Sequence, residues 1–166
     1  MEEIRFRPVK TLDGFRAVEA LAFPIWREHY TPLIGPAQVD YMLQKFQTAG
    51  AVESQVAQGA LYFLLQTPGG DDFGFLSALP RPGELFLSKL YFLKSHRGRG
   101  YARQVLEFLR DLARQKGLSR ITLTVHKQNP SVTAYRALGF EILEPVVTDI
   151  GGGFVMDDYR MGMDLA

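Results

Sequence analysis

Residues 85–125 constrain the fold of this chain more than any other stretch. Leu85-Phe86-Leu87-Ser88-Lys89-Leu90-Tyr91-Phe92-Leu93 is too apolar for a surface strand and reads as a central one. His96-Arg97-Gly98-Arg99-Gly100-Tyr101-Ala102 then forms a basic, glycine-bearing turn. Beyond it Val105, Leu106, Leu109, Leu112 and Ala113 recur at helical spacing, with Glu107, Arg110, Asp111 and Arg114 on other faces. Gly117 marks the helix end, and Arg120-Ile121-Thr122-Leu123-Thr124-Val125 is a strand rich in β-branched residues. Strand, helix and strand in that order imply a parallel crossover, right-handed by the usual rule.

The turn has chemistry of its own. A helix start leaves backbone N–H groups without partners, and the helix dipole adds positive potential there. Gly98 and Gly100 let the backbone approach a ligand closely or take positive φ. Arg97 and Arg99 add charged donors suited to phosphate oxygens, so a pyrophosphate suits the turn. A plain strand-to-helix connection is the competing reading. The Gly-Lys-Ser/Thr ending of a P-loop is missing, and so is the third glycine of a dinucleotide fingerprint.

The rest of the chain supplies antiparallel strands and helices. Ile4 to Arg7 alternates as a half-buried strand ended by Pro8. Thr11 or Asp13 caps a helix whose stripe is Phe15, Val18, Leu21 and Ala22, up to Pro24. Pro24, Pro32 and Pro36 are expected to break the next region into short pieces. Helical segments come next at Gln38–Gln47 and Val52–Gln58, then strands at 59–65 and 73–79 around Pro68-Gly69-Gly70-Asp71-Asp72. Asn129-Pro130-Ser131 starts a helix that ends at Gly139, and residues 140–149 and 154–164 form two more strands. Together these elements imply a mixed sheet with helices on both faces.

With 166 residues the chain suits a single domain over 1–166, and its 46% hydrophobic content is that of a globular protein. A net charge of +1 argues against bulk binding to nucleic acid or to a membrane surface. The basic residues gather between Lys89 and Arg136, which fits a local anionic ligand. Without cysteine there is no disulfide, thiolate metal site or cysteine nucleophile, and no metal is expected. The acidic start Met1-Glu2-Glu3-Ile4-Arg5 does not read as a signal peptide, and no run matches a membrane span, so a cytoplasmic location is expected.

Two segments carry a family likeness. Arg97-x-x-Gly100-x-Ala102 is similar to the Arg/Gln-x-x-Gly-x-Gly/Ala signature of the GNAT superfamily of N-acetyltransferases. Tyr135-Arg136-Ala137-Leu138-Gly139-Phe140 resembles that family's tyrosine-to-Gly-Phe segment. The resemblance covers essentially the whole chain. It implies the acyl-CoA N-acyltransferase fold, a three-layer α/β/α sandwich with a mixed, mostly antiparallel central sheet, and acetyl-CoA as cosubstrate. Backbone groups of Leu90, Tyr91 and Phe92 would hold the pantetheine arm as an added strand. The turn Arg97, Gly98, Arg99, Gly100, Tyr101, Ala102 and Arg103 would take the pyrophosphate. Asn129 matches the family's cofactor-contacting asparagine, although it stands one residue closer to Tyr135 than in many members, a spacing that Gln128 satisfies. Phe23-x-x-Trp26-x-x-x-Tyr30, Gln38 to Leu43 and Gly153 to Tyr159 are similar to segments of a bacterial subgroup that includes polyamine acetyltransferases.

The implied reaction is direct transfer of acetyl to a primary amine, with thiol as the other product. Making a lysine-like amine neutral at pH 7 costs roughly 4.6 kcal/mol, so a site must desolvate it or supply a base. Tyr135 is the family-matched acid for the leaving thiolate; packing between Val132 and Leu138 is its bland alternative. Glu84, at the start of the central strand, is the candidate base, with His29 and His126 as alternatives. His96 would assist phosphate binding. Trp26, Tyr30, Tyr41, Phe154 and Tyr159 offer aromatic walls and Asp157 and Asp158 negative charge for a cationic acceptor. The expected function is acetylation of a small amine, with a polyamine as one option. A protein lysine or N-terminal acceptor and a non-catalytic acyl-CoA-binding module are the alternatives. Exposed edges of the last strands allow a homodimer.

Overall fold

A computed structural model describes residues 2–165. One seven-stranded sheet runs in the order β1-β2-β3-β4-β5-β7-β6. Its strands are β1 (Arg5–Pro8), β2 (Leu61–Gln66), β3 (Asp72–Arg81), β4 (Glu84–Phe92), β5 (Arg120–His126), β6 (Glu141–Gly151) and β7 (Phe154–Asp164). The helices are α1 (Leu12–Ile34), α2 (Pro36–Phe46), α3 (Ala49–Ala57), α4 (Tyr101–Gln115) and α5 (Ser131–Ala137). β4 pairs with β5 in parallel, whereas β1 with β2, β2 with β3, β5 with β7 and β6 with β7 are antiparallel. This is the mixed, mostly antiparallel fold expected from the sequence.

Packing divides the chain into two units, residues 1–79 with 89–104 and residues 80–88 with 105–166. The first buries Val18, Ala22, Leu43, Val52, Leu65, Phe73, Phe75 and Leu76 completely. The second buries Leu85, Leu109, Ala113, Ile121, Leu123 and Met161.

The prolines act differently from the sequence expectation. α1 runs unbroken through Pro24 and Pro32, and the break comes only at Gly35, with φ +84, before Pro36 opens α2. An internal proline costs roughly 3 kcal/mol through one lost hydrogen bond and a steric clash. Burial of Val18, Leu21, Ile25 and Trp26 on the same helix outweighs that, at about 1.5–3 kcal/mol per large aliphatic side chain.

The strand order was not legible in the order of the elements. β7 inserts between β5 and β6 because it carries the buried residues Asp158, Met161, Gly162 and Met163. β6 is exposed along almost its whole length and contains Pro145, which an edge strand tolerates.

Two features of β4 set the course of its second half. Its parallel ladder covers Glu84–Leu87 against Arg120–Leu123, the first half of the strand. On the other side, β3 bulges where pairing steps from Gly74 to Asp72. There the Phe73 carbonyl accepts the Leu93 amide at 2.7 Å. Gly74 lies directly against the Tyr91 carbonyl, where no side chain fits.

Candidate active site

The glycine turn expected between β4 and α4 forms. A short 3-10 turn, Lys94–His96, leads into Arg97–Gly100 and then α4. Gly98 and Gly100 have φ of +74 and +78, which reserves both places for glycine. The amides of the first turn of α4 have no intrahelical acceptors, so they are available to an anion. Arg99 and Arg103 are exposed beside them.

Arg97 is engaged elsewhere. Its Nε donates to the Phe92 carbonyl at 3.1 Å, and Nη1 and Nη2 donate to the two Glu28 oxygens at 3.0 Å each. The pair holds the Glu28 carboxyl below its ordinary range. This fork ties the end of β4 to α1, and Glu28 is a residue that sequence reasoning missed. His96 stacks on Phe73 at 4.9 Å, with its Nδ1 2.8 Å from Ser95 Oγ. Tyr101 is buried against the same ring at 5.0 Å.

Trp26 and Tyr30 come together with Tyr91 of β4. Their ring centroids are 5.5–6.0 Å apart, and the two tyrosine hydroxyls lie 2.9 Å from each other. His29 packs on Tyr30 at 4.8 Å. The spacing Trp26-x-x-x-Tyr30 puts both rings on one face of α1. Tyr41 is on α2, with the Lys45 ammonium 5.7 Å over its ring.

Lys89 is the least expected group. Its Nζ donates to the Tyr62 hydroxyl at 2.6 Å and to Gln55 Oε1 at 2.9 Å, with the Phe46 carbonyl at 3.5 Å. Burial pulls its pKa from 10.5 down to about 7 and pushes that of Tyr62 up. The sequence signal was a lone lysine inside an apolar strand.

In the second unit Glu84 accepts hydrogen bonds from the Thr122 hydroxyl and from Arg160 Nη2 at 3.2 Å. The candidate base therefore already holds an ion pair. Tyr135 is half-buried, its ring 5.6 Å from Phe140 in an edge contact. Asn129 is buried, and its Oδ1 accepts the Ser131 amide at 2.9 Å, which opens α5. His126 Nδ1 accepts the Gln128 amide at 3.2 Å. Asp157 pairs with Lys127 at 2.8 Å, and the Lys127 ammonium also lies 5.7 Å over the Tyr159 ring. Phe154 is half-buried at the start of β7. Asp158, next to the ion-paired Asp157, is buried.

The family model described as "Acetyltransferase (GNAT) family" matches residues 23–140, well over half of the chain. The chain belongs to the GNAT acetyltransferase family. Acetyl-CoA is the cosubstrate of that family, and both the signature turn and the Tyr135 segment lie inside the matched region. N-alpha-acetyltransferase 80 of Mus musculus is 35% identical to this GNAT chain over 68 residues, which are 41% of the chain and only 21% of that protein. The fold is similar to that of PaiA N-acetyltransferase from Thermoplasma acidophilum in complex with coenzyme A. That likeness has a TM-score of 0.81 at 15% identity and covers 98% of this chain and 99% of the other. It is also similar to spermidine N-acetyltransferase from Vibrio cholerae in complex with CoA and spermine, with a TM-score of 0.72 at 17% identity over 98% and 95% of the two chains. Among the described residues no helix is long and apolar enough to cross a membrane.

Proposed function

We propose that this protein transfers the acetyl group of acetyl-CoA to the primary amine of a small molecule, with polyamines as the first class to test, and that Tyr135 is the acid for the departing thiolate. The observation that carries the reading is the Arg97–Gly100 turn. Two glycines at positive φ precede the bare amides of α4, within a chain that matches the GNAT family over residues 23–140. These residues fit a pyrophosphate.

Acetyl-CoA, when bound, supplies the activated acetyl group as a thioester. The ladder with β5 ends at Leu87, before Leu90, Tyr91 and Phe92, whose backbone would align an extended amide-bearing arm. Amides from Gly98 to Arg103 would hold the pyrophosphate, with Arg99 and Arg103 as its charged partners. Arg97 would act on the turn from behind, through Phe92 and Glu28. Asn129 shapes the start of α5, the helix that carries Tyr135. Trp26, Tyr30 and Tyr91 suit the wall of an amine site, because aromatic faces attract a cation.

The identity with N-alpha-acetyltransferase 80 over 68 residues supports a second reading, in which the acceptor is the N-terminal amine of a protein. Thiol release from acetyl-CoA separates the two readings when polyamines, aminoglycosides, lysine peptides and peptides with free N-termini are tried in parallel. Small-amine turnover supports the first. Turnover confined to peptides supports the second, and acetyl-CoA binding without turnover points to a binding module. Tyr135→Phe should lower kcat by about 10²–10⁴-fold while acetyl-CoA affinity holds; unchanged turnover removes Tyr135 from the acid role.

A further inference from the structure

Asp158 is a buried carboxylate on β7, its residue 6% exposed. Strand register sets His126 of β5 opposite it on one side and Val146 of β6 on the other. The period of two along β7 turns Asp157 and Tyr159 to the opposite face. Lys127, the nearest lysine in sequence, is committed to that pair: its ammonium is 2.8 Å from Asp157 and 5.7 Å over the Tyr159 ring. Among the described residues no ion pair reaches Asp158. His126, its cross-strand neighbour, favours the ionised form of this carboxyl, and the Nδ1 of that ring accepts the Gln128 amide, so the neutral ring carries its proton on Nε2.

Burying an ion without a partner is costly, and native chains avoid it unless something offsets the cost. The position is telling as well. The β4–β5 ladder ends at Leu123, and His126 of β5 with Asp158 of β7 lies beyond it, His126 being followed in the chain by Asn129 and α5.

We propose that Asp158 receives the ammonium group of the acetyl acceptor and takes its proton, which makes the acceptor a cationic alkylamine. The inference rests on the acetyl-transfer reading and names the chemistry of its acceptor. The ammonium proton passes to the Asp158 carboxylate. The freed nitrogen forms a bond to the thioester carbonyl carbon, the carbon–sulfur bond breaks, and the thiolate takes the Tyr135 proton. The second amine proton makes good the one Tyr135 gave. The proton on Asp158 leaves to solvent as the net product, so the amide, the thiol and one proton balance the reactants.

The surroundings suit this transfer. Burial pushes the Asp158 carboxyl above its ordinary 3.8, His126 opposes that shift, Asp157 adds to it and Lys127 again opposes it. Val146, facing from β6, brings no charge. A carboxyl raised in this way is a stronger base than an exposed aspartate.

The test compares wild type with Asp158→Asn, an isosteric change, and with Asp158→Ser as a second variant. Acetyl-CoA affinity by calorimetry certifies the fold and should stay within about twofold. Spermidine affinity, measured by calorimetry without acetyl-CoA, should fall at least tenfold in both variants. Turnover of cationic amines should fall by about 10²-fold or more. Turnover of 2,2,2-trifluoroethylamine, which is neutral at pH 7, should be nearly spared, and a merely structural role would not spare it. Full turnover of cationic amines by Asp158→Asn overturns the inference, as does equal loss with both kinds of amine or unchanged spermidine affinity. A wild type that binds acetyl-CoA but acetylates no amine overturns the acetyl-transfer reading, and this inference with it.

Discussion

Replacing Lys89 with methionine should stabilise the protein at neutral pH and destabilise it at high pH. The folded chain holds this amine with a pKa of about 7, against 10.5 for an unburied lysine. Between those values the unfolded state binds more protons than the folded state, so stability rises with pH across the window. Below about pH 7 both states are protonated and the full penalty is present. At about 1.36 kcal/mol per pH unit the window is worth roughly 5 kcal/mol. Methionine removes the penalty together with two hydrogen bonds, to Tyr62 and Gln55, worth about 1 kcal/mol each. The partners are not orphaned, because the Tyr62 hydroxyl still donates to Gln55 Oε1 at 2.6 Å and Gln55 Nε2 still donates to the Phe46 carbonyl at 2.9 Å. The Lys89→Met variant should therefore gain about 3 kcal/mol at pH 7, lose about 2 at pH 10.5, and cross the wild type at about pH 9. Urea unfolding of both proteins at one-unit steps from pH 6 to pH 10 reads this directly, since the difference curve cancels every other titrating group. A difference that stays constant with pH would refute the reasoning, because it would mean the lysine titrates alike in both states.

Gly74→Ala should weaken acetyl-CoA binding at least tenfold and lower the thermal midpoint, because a Cβ there collides with the Tyr91 carbonyl and crowds Phe92 and Leu65; calorimetry with unaltered affinity would detach that strand contact from the cofactor segment. Glu28→Gln breaks the fork to Arg97, whose side chain is 33% exposed, so the stability cost should stay within about 1 kcal/mol after solvent screening. The Glu28 carboxyl is held below its ordinary 4.5, so its contribution is present above that pH and fades as the pH falls through the lowered value. Acid unfolding of Glu28→Gln should therefore lack part of the wild-type loss below pH 4.5, and superimposable acid limbs would show that the pair contributes nothing.

The stretch from Leu85 to Val125 was legible because each of its signals is local. Apolar strand, glycine turn, amphipathic helix and β-branched strand arise from backbone sterics and periodicity over a few residues each. The signature turn and the GNAT resemblance came from the same stretch and from Tyr135–Phe140, and the family match agrees with them. α1 was misjudged at Pro24 and Pro32, where local propensity argued for a break and burial of Ile25 and Trp26 overrode it.

Local sequence was enough for the element types, the parallel pairing of β4 with β5 and the glycine positions of the turn before α4. It even held the edge signal of Pro145. The partners of the charged side chains emerged only when distant strands and helices packed. Glu28 found Arg97, Arg160 found Glu84, Lys127 found Asp157, and Lys89 found Tyr62 and Gln55. Asp157 and Asp158 are adjacent and chemically identical, yet one is exposed and paired while the other is buried opposite His126. That difference comes from strand register, which is set by pairing between residues far apart in the chain and therefore leaves no trace in local sequence.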